Sequence, residues 1–79
     1  MLTLVIVMIV YTPFWDTLAE AGESTYTLIH KYHVSSATLD RLRHNKGIST
    51  LKINDLCRIL HCRVEDVLLY VEDDRDQTL

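Results

Sequence analysis

Apolar residues follow two different patterns along the chain, and the change from one to the other divides it. Leu4 to Val10 is an unbroken apolar run rich in Val and Ile, which predicts a strand covered on both faces. From Thr12 onward a helical spacing takes over. Thr12-Pro13 reads as a helix start, a capping hydroxyl followed by proline at the first helical position. That helix turns Phe14, Trp15, Leu18 and Ala19 inward, carries Asp16 near its positive end and stops at Gly22. Ser24 or Thr25 caps a second helix with Leu28, Ile29 and Tyr32 inward, broken by the stretch His33-Val34-Ser35-Ser36.

Ser35 or Ser36 then caps a third helix, with Leu39 and Leu42 inward, and Gly47 is its expected left-handed stop. Ser49 or Thr50 caps a fourth, where Ile53, Leu56, Cys57 and Leu60 fall at i, i+3, i+4 and i+7. Val64, Val67, Leu68 and Val71 repeat that spacing and predict a fifth, with Glu65 and Asp66 in its first turn. The stretch Leu68–Glu72 has a second reading as a short strand, and Met8–Thr12 is then its pairing partner. The expected fold is all-α, five short helices behind an N-terminal β-strand.

Length and composition narrow this picture. With 79 residues, 48% of them hydrophobic and 24% charged, the chain is one globular domain near the lower limit for an unstapled core. Help from a second subunit fits that size. The apolar N-terminus is too short to span a bilayer, has no Lys or Arg before it, and no small-residue cleavage site follows it. No membrane role is expected. Met8 offers an alternative start, with residues 1–7 an upstream extension. The two cysteines, Cys57 and Cys62, read as reduced thiols of a cytoplasmic protein. With His61 they lack a zinc-ligand spacing, so neither metal nor cofactor is expected.

The net charge of −3 hides a division. Between His30 and Arg63 seven basic side chains stand against two acidic ones, a local +5. From Val64 onward six acids face Arg75 alone, a local −5. Such segregation permits a positive face on an acidic protein. Two short helices joined by a tight turn, the second basic on its outer side, form a helix-turn-helix. The second helix must dock one side on its neighbours and offer small or polar residues to a major groove. Leu39 and Leu42 supply the docking side; Ser36, Ala37, Thr38 and Arg41 lie away from it.

On these residues the chain resembles the phage-repressor and Cro-like (Xre-like) helix-turn-helix regulators. The likeness is to a small single-domain subgroup that begins "Y-x-P-x-W-x-x-L", as in "YTPFWDTL". It continues with a recognition helix like "VSSATLDRL" and closes on a stretch like "INDLCRILHCRVEDVLLYV". The resemblance runs from about Thr12 to Val71 and implies a compact lambda-repressor-like DNA-binding domain. Residues 12–71 would form that domain, with the motif at 25–45 and the recognition helix at 36–45. Residues 1–11 would be an apolar strand open to dimer contact, and 72–79 an acidic tail.

The resemblance places Leu28, Tyr32, Val34, Leu39 and Leu42 in buried positions. It implies a phosphate contact at Thr25, base-facing roles for Ser36, Ala37 and Arg41 with Thr38 beside them, and a backbone contact near His44. Ile29 stands where many members have Ala, and His33 where many have Gly in the turn, a place His33 fills if it takes a left-handed backbone. Ser35, at the start of the recognition helix, joins the DNA-facing set. Asp40 either accepts from cytosine or repels wrong sequences. Lys46 and Lys52 flank the turn before the fourth helix, and Thr50 presents that helix's N-terminal amides to a phosphate; a simple cap with solvated lysines is the plain alternative.

His30 and His33 read as surface residues and Trp15 as core. No catalytic constellation is visible, so neither an enzyme nor a small-molecule substrate is expected. The expected function is a DNA-binding transcriptional repressor, a homodimer on double-stranded DNA. The alternative is a protein-interaction module, an antirepressor or adaptor, on the same scaffold.

Overall fold

The computed structural model describes residues 9–72. The expected strand residues before Ile9 and the acidic tail from Asp73 lie outside the described residues. In chain order come β1 (Ile9–Val10), α1 (Thr12–Glu20), α2 (Thr25–His30), α3 (Ser36–Arg43) and α4 (Thr50–Leu60). A 3-10 turn (Val64–Asp66) and β2 (Leu69–Tyr70) follow.

Three of the four helices start alike. Ser24, Ser35 and Ser49 each sit in extended backbone and accept the amide three residues on, from Thr27, Thr38 and Lys52 at 3.2, 3.1 and 3.2 Å. Each bond satisfies a donor the helix cannot satisfy itself. Of each pair of candidate caps it is therefore the first residue that caps. Around Ser24 the box closes, because Thr27 Oγ1 also accepts the Ser24 amide at 2.9 Å. The start of α1 differs from expectation. Tyr11 precedes the helix with no side-chain cap, and Thr12 is already helical.

The helix exits correct the sequence reading at one point. Gly22 ends α1 with φ 71°, as the spacing predicted. At the end of α3 the left-handed residue is Asn45 (φ 54°), not Gly47. The amides of Asn45 and Lys46 reach back to the carbonyls of Leu42 (3.4 Å) and Arg41 (2.8 Å), a Schellman closure. His33 and His61 are also left-handed, at φ 62° and 52°. His33 thus takes the backbone that the glycine-favouring turn requires.

The fifth helix does not form. Only Val64–Asp66 makes a turn, and the chain then straightens so that β2 pairs with β1 antiparallel, Ile9 opposite Tyr70 and Val10 opposite Leu69. The described fold is therefore four α-helices with a two-stranded sheet, not five helices and a lone strand. Of the two readings of Leu68–Glu72, the strand paired within Met8–Thr12 is the one that holds. Of the four residues predicted to line a fifth helix, Val67 is fully buried and Leu68 half-buried, while Val64 and Val71 are exposed. Thr17 Oγ1 donates to the Asp66 carbonyl at 2.7 Å and ties α1 to the turn.

The core gathers Phe14 and Leu18 of α1, Leu28 of α2, Leu39 and Leu42 of α3, and Ile53, Leu56 and Leu60 of α4, closed by Tyr11 and Val67. Each such side chain contributes about 1.5–3 kcal/mol when fully buried. Trp15, Ile29, Tyr32 and Cys57 pack half-buried against it; Ala19, expected inside, is exposed.

Candidate nucleic-acid interface

The second motif helix, α3, is anchored by Leu39 and Leu42, both fully buried. At 100° per residue the positions opposite this anchor are Ala37, Asp40, Arg41 and His44. All four are exposed, and Ser36 at the helix start is exposed too. Small residues thus occupy the N-terminal part of the open face and a guanidinium its later part. His44 Nδ1 lies 2.9 Å from the Asp40 carbonyl and 3.4 Å from its carboxylate, so Asp40 has a local partner one turn away.

Arg41 leans toward the next connection. Its Nη1 donates to the Gly47 carbonyl at 3.4 Å. Arg41 and Lys52 line one shallow cleft of about 240 Å3 with Thr38, Gly47, Ile48 and Ser49, so it lies between α3 and the start of α4. Among the described residues, none lining this cleft is acidic, and the first turn of α4 holds no acid. The positive end of α4 is therefore reinforced by two cations, an arrangement that favours an anion.

The predicted residues fall into four groups. Arg41 and Lys52 converge on the cleft, with Lys46 in the connection beside them and Thr50 in the first turn of α4, all exposed. Ser36, Ala37, Asp40 and His44 lie along α3. Thr25 stands on α2, half-buried in its first turn. Ser35 and Thr38 are bound up with each other. Ser35 Oγ caps the Thr38 amide and also lies 2.9 Å from Thr38 Oγ1. Thr38 is only 6% exposed, so the structure moves it from the open face to the cleft floor, where its hydroxyl is engaged within the protein.

Sequence reasoning missed Tyr11 and Asn45. The Tyr11 amide donates to Asn45 Oδ1 at 3.0 Å and the Tyr11 hydroxyl to the Lys46 carbonyl at 2.8 Å, across 34 and 35 positions of sequence. Burial pushes the Tyr11 phenol above its ordinary pKa, against a lowering by the Ile48 backbone beside it. The usable signal was the tolerance of Asn for left-handed backbone; nothing local marks Tyr11 as its partner.

The other end of α4 opens on a cleft of about 300 Å3 lined by Thr17, Glu20, Ala21, Leu60, His61, Cys62 and Asp66. There burial, reinforced by the neighbouring Cys57 thiol and by Asp66, pushes the Cys62 thiol up to about 11. At neutral pH this keeps the thiol protonated, the less nucleophilic form. No group of three or more His, Cys, Asp or Glu among the described residues is placed to hold a metal ion. Nor is any described helix long and apolar enough to cross a membrane.

Two capped helices, the left-handed turn at His33 between them, and a basic cleft beside the second define a helix-turn-helix domain. Comparison with known proteins agrees. The family model of the Cro/C1-type HTH DNA-binding domain matches residues 14–73, and the chain belongs to that family. The crystal structure of the transcriptional regulator VanUg (Form II) has a similar fold, with a TM-score of 0.74 at 20% sequence identity over 92% of this chain and 100% of that one. No curated protein matches the chain.

Proposed function

We propose that the chain is a sequence-specific transcriptional repressor that binds DNA as a homodimer and reads the major groove with α3. The observation that carries this reading is the convergence of Arg41 and Lys52 on an acid-free cleft beside the capped start of α4. In it Ser36, Ala37, Asp40 and Arg41 meet base edges, with Arg41 suited to a guanine. Thr25, His44, Lys46, Thr50 and Lys52 meet phosphates and fix the register. The family, whose model is that of a DNA-binding domain, supports the DNA-binding part of the proposal.

Dimerisation rests on energetics. One domain of this size offers few base contacts, whereas two half-sites about 34 Å apart add theirs. We assign the contact to the segment 1–11 together with β2, which pairs with Ile9–Val10; Leu69 and Tyr70 of β2, and Val71 after it, are exposed apolar residues. The same apolar strip is the observation that favours the alternative, a protein-interaction module that binds no DNA.

Fluorescence anisotropy of labelled duplex, titrated with wild type and Arg41→Ala at several salt concentrations, separates the two. The DNA reading expects affinity to fall steeply with salt, and Arg41→Ala to lose about 1–3 kcal/mol together with sequence preference. A folded protein that binds no duplex at low salt, yet self-associates or captures a partner through Leu69 and Tyr70, would establish the alternative.

A further inference from the structure

We propose that Tyr11 is a positioning residue for the DNA-facing turn, holding Lys46 where it can meet a phosphate and so linking the strand β1 to DNA affinity. The inference rests on the DNA reading above and names a part of the interface that touches no DNA itself.

The geometry is a two-point clamp. Tyr11 is 4% exposed, sits between β1 and α1, and is bonded to two consecutive residues of the distant turn. Its amide donates to Asn45 Oδ1 and its hydroxyl to the Lys46 carbonyl. Two bonds to adjacent residues fix orientation as well as distance, which one bond cannot. Asn45 is the left-handed residue that ends α3, so the clamp grips the point where the chain changes direction. Lys46 then projects an exposed side chain from a backbone held at both ends. Its amide is bonded back to Arg41 at 2.8 Å and its carbonyl is held by Tyr11.

Arg41 shares in this arrangement, because its guanidinium is bonded to the carbonyl of Gly47, next in the turn. A turn released from Tyr11 keeps its closure onto α3 and the packing of Ile48 on the core, but loses the bond that orients Lys46. Lys46 must then pay in ordering entropy at the moment of binding what the clamp otherwise supplies beforehand. The expected consequence is one phosphate contact fewer, with the fold intact.

The test uses the full chain and a labelled mixed-sequence duplex of about 20 base pairs, because phosphate contacts do not depend on sequence. Anisotropy is followed across salt for wild type, Tyr11→Phe, Asn45→Gly, Lys46→Ala and the Tyr11→Phe/Lys46→Ala double variant, each verified as folded by circular dichroism. Tyr11→Phe keeps the ring and removes only the hydroxyl. Asn45→Gly keeps a residue at ease in left-handed backbone and removes Oδ1.

Each of the three single variants is expected to weaken binding by about five- to ten-fold and to reduce the slope of log affinity against log salt by about one. The double variant binds no more weakly than Lys46→Ala alone, since both changes remove the same contact. Val67→Ala, a core change away from the turn, lowers the melting temperature but leaves the slope as in wild type. A Tyr11→Phe slope equal to wild type, or losses that multiply in the double variant, overturns the clamp while leaving the DNA reading in place. Absence of salt-dependent binding by the folded wild type overturns both.

Discussion

The two ends of α4 carry clefts of similar size and opposite charge. The N-terminal cleft, about 240 Å3, is lined by Arg41 and Lys52; the C-terminal one, about 300 Å3, by Glu20 and Asp66. At the start of α4 the cations add to the helix dipole instead of offsetting it, which costs stability there; at its end Arg58 in the last turn works against the two acids. What the arrangement achieves is direction. On the proposed reading a polyanion is favoured at the start of α4 and disfavoured at its end, so a protein of net charge −3 offers one face to phosphate.

The exits bordering these clefts differ in the same way. Asn45 and His61 are both left-handed. Asn45 is also bonded through its side chain to the buried Tyr11, whereas the His61 side chain is exposed. One exit is held in place and the other only turns the chain.

Substitution at the two exits puts this contrast to its strongest test. Asn45→Ala leaves the Tyr11 amide without its partner in a part-buried site, and is expected to cost about 2–3 kcal/mol in denaturant unfolding. His61→Ala, which removes no such partner, is expected to stay within about 0.5 kcal/mol of wild type. Equal losses at the two sites would mean that left-handed strain, not the clamp, governs both.

Lys52→Glu separates stability from binding at the basic cleft. A glutamate three residues after Ser49 completes a capping box and faces the positive helix end, so stability rises by about 0.3–1 kcal/mol. Duplex affinity falls by about ten-fold or more as a cation is exchanged for an anion. A variant that gains stability and keeps its affinity would remove Lys52 from the interface.

His61→Gly offers a smaller gain, about 0.5–1 kcal/mol in melting experiments, because glycine takes the left-handed backbone without strain. The smallest effect concerns the acidic cleft. With its pKa pushed up to about 11, Cys62 in the folded protein is expected to alkylate with iodoacetamide more slowly at pH 8 than after unfolding, and to speed up as pH rises toward that value. Equal rates in the two states would mean that burial does not protect it.

How much could be read beforehand depended on distance along the chain. The starts of α2, α3 and α4 were legible to within one residue, because a serine hydroxyl caps an amide only three positions away. Leu28, Leu39, Leu42, Ile53, Leu56 and Leu60 were legible as core from spacing alone. Thr38 is expected on the open face although at 100° per residue it falls on the side of Leu39 and Leu42, where the structure buries it against Ser35.

Spacing marked the four helices and capping the starts of three of them, because each depends on neighbours within about a turn. The same spacing also predicted a fifth helix that does not form. The tertiary structure alone decided three things. It chose Asn45 over Gly47 as the left-handed residue, where the Asn45 side chain accepts the Tyr11 amide. It chose between the two readings of Leu69–Tyr70, helix or strand, because β1 lies beside it to pair with, as the strand reading expects. It set Arg41 and Lys52, from different helices, on one cleft. Each of these joins residues on separate elements. The chain between them must fold before the contact exists, and no local pattern records which partner will be there.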